Sequence, residues 1–243
     1  MANSNHRKLK NYILDLFFPP RCPGCAEVIN INATDAFCPV CRQKWEKHKR
    51  EICYRCGQPM DNCWCGVRLD KDGYVNSEHH LVQYDKKANT VIKRLLYKMK
   101  NYNNGIVFKT IGRKMYNGLY HRLDYNNLII AYIPRSKANI KKYGHDQSLI
   151  LAKELSALTE LDIAHVLFHK GGSNQKTLDI TKRQKNADKS YHIINGAGKL
   201  IKEKNVILID DVLTTGASAT RCARLLKQKG AKRVILFTVA KTI

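Results

Sequence analysis

The sequence predicts an α/β protein: a parallel sheet flanked by helices, preceded by a small cysteine-rich module. Three observations predict it. Val206-Ile-Leu-Ile209 is an apolar run without alternation, the pattern of a strand buried on both faces. Leu128-Ile-Ile-Ala-Tyr-Ile133, closed by Pro134, reads the same way. Eight of the nine cysteines fall between Cys22 and Cys65, so the chain divides into a cysteine module over residues 1–70 and a larger domain over 71–243.

The module reads as metal-binding. Cys22-Pro-Gly-Cys25 and Cys38-Pro-Val-Cys41, twelve residues apart, are two knuckles offering four soft ligands to a tetrahedral zinc ion. Cys53-Tyr-Arg-Cys56 and Cys63-Trp-Cys65 offer four more, the last pair with one intervening residue instead of two. One or two structural zinc ions are therefore expected, each closed to substrate by its four thiolates. A segment of about 45 residues with few aliphatic side chains builds no stable core, so metal is expected to replace one. A disulfide framework suits a secreted protein, whereas Tyr12 to Phe18 is short, carries Asp15 and lacks an Ala-x-Ala cleavage site. No apolar stretch approaches the roughly 20 residues that span a bilayer, and a soluble cytoplasmic protein is expected.

In the larger domain, Val91, Ile92, Leu95, Leu96 and Met99 recur at helical spacing with Lys93, Arg94, Lys98 and Lys100 mostly elsewhere. A second helix is expected over Ile106 to Met115. After the strand at 128–133, Arg135, Ser136, Lys137, Lys141, Lys142 and Gln147 lie in a basic, polar loop leading to a helix from about Leu149 to Leu158. Asn174 to Tyr191, with Arg183, lacks sustained apolar periodicity and reads as a mobile basic loop able to close over a charged ligand. The last helix carries Ala219, Cys222, Ala223, Leu225 and Leu226 on one face and ends at Gly230. Cys222 on that face reads as a small core residue.

Between the strand at 206–209 and that last helix stands Asp210-Asp211-Val212-Leu213-Thr214-Thr215-Gly216-Ala217-Ser218. Two adjacent carboxylates at a strand end repel unless hydroxyls, a metal ion or solvent satisfies them. The turn after them opens a helix, whose unpaired N–H groups and positive dipole end bind phosphate. Open α/β sheets hold ligands in that position. No Gly-Lys-Ser/Thr follows, so the turn is not a P-loop.

The formal net charge is +23. Residues 1–70 hold 11 Lys/Arg against 7 Asp/Glu, and residues 71–243 hold 32 against 13. Eight thiolates on two zinc ions would bring the first segment to about neutral, leaving the positive charge on the larger domain. Such a domain attracts polyanions, nucleic acid before anionic membrane. A Lys- and Asn-rich proteome would produce a similar sum without any partner.

The run Asp210 to Ser218 closely resembles the signature of type I phosphoribosyltransferases, which bind phosphoribosyl pyrophosphate (PRPP). That resemblance implies that Asp210 and Asp211 hold the ribose 2′ and 3′ hydroxyls and that Thr214 to Ser218 wrap the 5′-phosphate, with Mg²⁺ accompanying PRPP. Pro19-Pro-Arg-Cys-Pro-Gly-Cys25, the repeated cysteine pairs, Gly144-His-Asp-Gln147, Gln175, Leu178, Arg183, Asn186 and Asp210-Asp-Val-Leu-Thr-Thr-Gly216 together resemble the ComF family of competence proteins over nearly the whole chain. Where that family has an Arg-Gly-Phe-Asn-Gln run, Tyr143, His145 and Asp146 replace three of the five, leaving Lys141 and Lys142 to supply part of the lost charge. The resemblance implies handling of incoming single-stranded DNA at the cytoplasmic side of the membrane during natural transformation, beside a helicase-like partner.

Two function classes fit. A nucleic-acid handling protein would use the basic domain and tyrosines near lysines, Tyr97, Tyr102 and Tyr143, to hold a single strand. A true transferase would bind PRPP with Mg²⁺ and pass its ribose to an acceptor nitrogen, by positioning and charge stabilisation. No acceptor-base pocket is evident in the sequence.

Overall fold

The structure is a computed structural model and describes residues 19–30, 32–52, 57–59, 69, 73–84, 90–119, 127–171 and 187–242. Its elements are α1 (Pro39–Arg50), β1 (Ser77–Tyr84), α2 (Val91–Asn101), α3 (Gly105–Leu119), β2 (Leu128–Tyr132), α4 (Lys137–Tyr143), α5 (Gln147–Thr159), β3 (Leu167–His169), β4 (Tyr191–Ile193), β5 (Asn205–Leu213), α6 (Ala217–Gln228) and β6 (Arg233–Thr242). Four strands form a sheet in the order β1-β6-β5-β2 with every neighbour parallel, and β3 and β4 pair as a separate antiparallel ribbon.

Strand alternation explains why the central runs are apolar throughout. Ile207 and Ile209 of β5 join Ile130, Ile235 and Phe237 in a cluster with α2, α3 and α5. Val206 and Leu208 face the opposite way and pack with Ile129, Ala131, Val234, Leu236 and the Ala219, Cys222, Ala223 and Leu226 stripe of α6. Both faces of the sheet are thus covered, which an alternating polar strand could not satisfy. Helices α3 and α5 approach at Gly112, where a Cβ would stand 2.6 Å from Glu154 Cβ. Only glycine permits that spacing.

Three expectations change. The stretch after Pro134 is not a loop throughout: Ser136 caps α4 by accepting from Asn139 N at 3.2 Å, and Gly144 ends it at φ 78°. These are ordinary helix start and stop signals, weakened in the sequence by the shortness of what lies between. Helix α5 starts two residues before Leu149, because Asp146 accepts from Leu149 N at 3.3 Å. Strand β5 continues past the two acids, since β6 runs alongside and supplies Thr238, Ala240 and Lys241 opposite Asp210, Val212 and Leu213. Of the expected basic loop, Ala187 and Ser190 are buried and Tyr191 opens β4; Gln175, Leu178, Arg183 and Asn186 lie outside the described residues.

The cysteine module does not stand on metal alone. Ile29, Ala36, Phe37 and Trp45 are buried in the same apolar cluster as α2, α3 and the sheet. Ala36 N donates to Thr110 Oγ1 at 2.9 Å, Lys114 pairs with Glu46 at 3.1 Å, and a His48 ring nitrogen meets the Gln83 carbonyl. The boundary near residue 70 therefore marks a change of composition, while the core runs across it.

Candidate functional site

The metal centre is built from two short backbone devices. Arg21 and Val28 bridge antiparallel around Cys22 and Cys25, with Ala26 at φ 66° turning the chain back. Cys38 caps α1, accepting from Cys41 N at 3.5 Å, so Cys41 follows one turn later on the same helix end. The four sulfurs of Cys22, Cys25, Cys38 and Cys41 lie within 4.8 Å of one another, and Cys25 and Cys38 are 3.6 Å apart. A tetrahedron with zinc–sulfur bonds of about 2.3 Å has edges of about 3.8 Å, while a disulfide needs about 2.05 Å. All four are free thiols, and backbone N–H groups of Gly24 and Cys38 point at Cys22 Sγ from 3.4 Å. Such N–H donors orient a thiolate and support its charge. The donor set fits structural zinc.

Cys53, Cys56, Cys63 and Cys65 lie outside the described residues. Their flanks are informative, however: Ile52 and Pro59 bridge antiparallel with the same seven-residue step as Arg21 and Val28, and Gly57 takes φ 68° where the first knuckle has Ala26. At Ile52, Gly57 and Pro59 the described flanks thus match Arg21, Ala26 and Val28 of the first knuckle.

The second constellation gathers at the end of β5. Asp210 Oδ1 accepts from Ser148 Oγ at 3.0 Å and from Asp211 N at 2.9 Å. Arg135 Nη2 donates to Asp211 Oδ2 at 3.3 Å, and Asp146 Oδ2 accepts from Arg135 N at 2.9 Å. Thus the ends of β2 and α5 brace both acids from one side. Burial, and then the Asp211 charge, push the Asp210 carboxyl well above the usual carboxylate range, against the lowering effect of Asp211 N–H and Ser148. Beyond the acids, Thr214, Thr215, Ala217 and Ser218 are half-buried and Gly216 adopts φ 77° at the start of α6, with no side chain capping the first turn. Tyr191 reaches in from β4, its hydroxyl donating to Ser218 Oγ at 3.1 Å, while Arg221 Nη2 holds the Tyr191 carbonyl at 3.3 Å. The arrangement presents carboxylates for hydroxyls and backbone N–H groups with hydroxyls for phosphate.

Residues 13–72 match the double zinc ribbon domain, and residues 126–242 match the phosphoribosyl transferase domain. Over 215 residues the chain is 26% identical to "Competence protein ComFC" of Bacillus subtilis, covering 84% of each chain. Over 234 residues it is 21% identical to "Competence protein F" of Haemophilus influenzae, covering 93% of this chain and 98% of that one. The chain belongs to the ComF family. Solved structures are more distant from this ComF protein. An allosteric regulatory enzyme of purine biosynthesis shares 14% identity at a TM-score of 0.40, over 59% of this chain and 30% of that one. A Staphylococcus aureus hypoxanthine phosphoribosyltransferase shares 17% at 0.38, over 56% of this chain and 72% of that one. The fold assignment rests instead on the parallel sheet and the domain match.

In this ComF protein the residues expected around the phosphates divide. Arg135 is brought onto Asp211, whereas Ser136 is committed to capping α4 and Lys137, Lys141 and Lys142 stand exposed on that helix. Gln147 is corrected: it is fully buried, and its amide donates to the Met99 and Lys100 carbonyls at 3.2 and 3.0 Å. It ties α5 to the end of α2, because a buried amide takes the nearest unpaired helix-end carbonyls. Val212 and Leu213 are strand residues. Sequence reasoning missed Ser148, Asp146 and Tyr191. Asp146 carried a usable signal as a capping residue three before Leu149; the other two meet the site only through tertiary packing.

The raised Asp210 carboxyl gives the first expected outcome. Folding holds its proton more tightly than the unfolded chain does, so that contribution is complete below the unfolded value of about 4 and is lost as pH rises through the folded one. Ligand-free Asp210→Asn is expected to melt higher than the parent at pH 8, with the gap closing as pH falls towards 4. Thermal melts across that range check it, and a lower melting point at pH 8 contradicts it.

Proposed function

We propose that this chain is a ComF-type competence protein that handles single-stranded DNA during DNA uptake and natural transformation, and that its β5–α6 turn binds PRPP or a related phosphorylated ribose. The observation that carries the pocket is Arg135. Its Nη2 bonds Asp211, while its Nη1 is buried with no hydrogen-bond partner among the described residues. Leaving such a donor unsatisfied costs about 1–3 kcal/mol, which a phosphate oxygen would recover.

In this reading Asp210 and Asp211 accept the ribose hydroxyls, and Thr214, Thr215, Gly216, Ala217 and Ser218 surround the 5′-phosphate. Arg135 meets the diphosphate, which brings Mg²⁺ with it; Lys137, Lys141, Lys142 and Arg183 supply further positive charge. A ribose hydroxyl donating to Asp210 would also favour its ionised form. The second cysteine set, Cys53, Cys56, Cys63 and Cys65, holds a second structural zinc. The excess of 32 Lys/Arg over 13 Asp/Glu in residues 71–243 supports the nucleic-acid role. No described helix is long and apolar enough to cross a membrane. The same reading places a helicase-like competence partner beside the protein at the cytoplasmic face of the membrane.

Calorimetry with PRPP and Mg²⁺ tests the pocket. The parent is expected to bind and Asp210→Asn/Asp211→Asn to lose binding, since each amide lacks the negative charge and puts an NH2 donor where a carboxylate oxygen accepted. Equal affinity in both would refute the assignment. Strand binding is expected to weaken steeply with salt, because phosphate contacts release counterions; a salt-independent affinity for a single-stranded oligonucleotide contradicts it. Pyrophosphate release with a panel of acceptor bases would distinguish a working transferase from a binding pocket.

A further inference from the structure

Helix α2 buries Val91, Ile92, Leu95 and Met99 and turns Lys93, Arg94, Tyr97 and Lys100 outward. Neither α2 nor α4 contains an acidic residue. Among the described residues, none of Lys93, Arg94, Lys98, Lys100, Lys137, Lys141 and Lys142 forms an ion pair, although Glu46, Asp188 and Asp211 each attract cations elsewhere. Like charges at Arg94/Lys98 and Lys137/Lys141 stand four apart on their helices, a mildly unfavourable spacing without acids to relieve it.

Tyrosines interleave with these cations. Tyr97 is 61% exposed and Tyr102 54%, so neither ring serves the core. Lys98 Nζ stands 5.1 Å from the Tyr102 ring centroid. Tyr143 has three cations around one ring: Lys142 at 5.2 Å, Lys100 at 5.3 Å and the Arg135 guanidinium at 5.5 Å. The little burial there opposes ionisation, yet Lys100 and Lys142 draw its phenol below the usual value.

This face has two defined ends. At one, Tyr102 and Lys98 border a cavity of about 330 Å³ against the first zinc knuckle, lined also by Pro20, Arg21, Pro23 and Asn104. At the other, Arg135 joins the Tyr143 ring to Asp211.

We propose that this face is a lane for single-stranded nucleic acid, running from the zinc knuckle across α2 to the mouth of the ribose-phosphate site. Unpaired bases stack on Tyr102, Tyr97 and Tyr143, and Arg94, Lys98, Lys100 and Lys142 follow the backbone. The proposal rests on the single-strand role above and assigns it a surface. Duplex nucleic acid satisfies the cations but offers no free base to the rings. Because Arg135 belongs to both neighbourhoods, the strand enters the edge of the ribose-phosphate site there.

The test compares a single-stranded 20-mer with an abasic 20-mer of the same backbone by fluorescence anisotropy at fixed salt. Tyr97→Ala/Tyr102→Ala/Tyr143→Ala is expected to lose about tenfold or more affinity for the base-bearing strand and to bind the abasic one within about twofold of the parent. Lys98→Gln/Lys100→Gln/Lys142→Gln is expected to lose affinity for both. A melting temperature and zinc content matched to the parent show that the tyrosine variant is folded. If the parent binds neither strand at low salt, the DNA role falls and the lane with it. If the parent binds and the tyrosine variant is unchanged, or weakens equally on both strands, the lane alone is overturned. Tighter parent binding to vesicles containing phosphatidylserine than to the 20-mer assigns the face to a membrane and also overturns it.

Discussion

Cys41→Ser is expected to hold one zinc ion fewer than the parent and to lower the melting temperature of the whole chain, not of its first segment alone. Cys41 is 2% exposed, and its sulfur lies where a Cβ on Gly24 would come within 2.7 Å, so the ion's place is fixed tightly between knuckle and helix. Structural zinc contributes roughly 10–16 kcal/mol in small zinc-finger peptides, comparable with the total stability of an ordinary domain, about 5–15 kcal/mol. Losing even a third of that should lower the midpoint by about 10 °C in a chain of this size. Cys22, Cys38 and Cys41 belong to one apolar cluster with Leu95, Phe108 and Phe237, so the loss is transmitted to the sheet. Metal analysis paired with calorimetric melting checks this. Two separated transitions, the upper one at the parent's temperature, would show a module that unfolds independently.

Trp45→Ala is the complementary case, expected to cost about 3–5 kcal/mol while leaving the zinc content unchanged. The indole is 1% exposed, stands 5.5 Å from the Phe37 ring, and is covered by the Lys114 ammonium at 5.6 Å. Lys114 belongs to α3, so the tryptophan is wedged between the metal-bearing helix and the sheet's own layer of helices. Denaturant unfolding measures the loss. A cost below about 1 kcal/mol would mean that metal, and not shared packing, attaches the module.

These two outcomes bear on what the sequence made legible. Val206 to Ile209 and Leu128 to Ile133 announced a parallel sheet because a strand covered on both faces leaves no position for a polar residue. The cysteine spacings announced zinc because ligand geometry is local. The aspartates and the turn after them stood out because they too are contiguous, and the structure places them together at the end of β5. What the sequence did not disclose depends on distant partners: Ser148 on Asp210 and Tyr191 on Ser218 span 62 and 27 residues. Gln147 misled for the same reason, sitting beside a basic stretch in the chain yet turning to helix-end carbonyls 47 and 48 residues away. Phe37 and Trp45 were too few to signal a core by themselves, and only the sheet's other residues complete it.

The placement of β6 carries a consequence for how the chain acquires this shape. Strand β6 follows β1, β2 and β5 in the chain, yet it lies inside the sheet, and β1 reaches β5 only through it. During synthesis, then, the zinc knuckle, β1, α2 and α3 emerge first, and β1 stays without its sheet neighbour until residues 233–242 leave the ribosome. Ribosome-bound chains halted before Arg233 should be cut readily by protease, and extension that brings Thr242 clear of the ribosome should bring resistance in a single step. A stop codon at Arg233 would therefore act like a core deletion, removing an interior strand of the sheet.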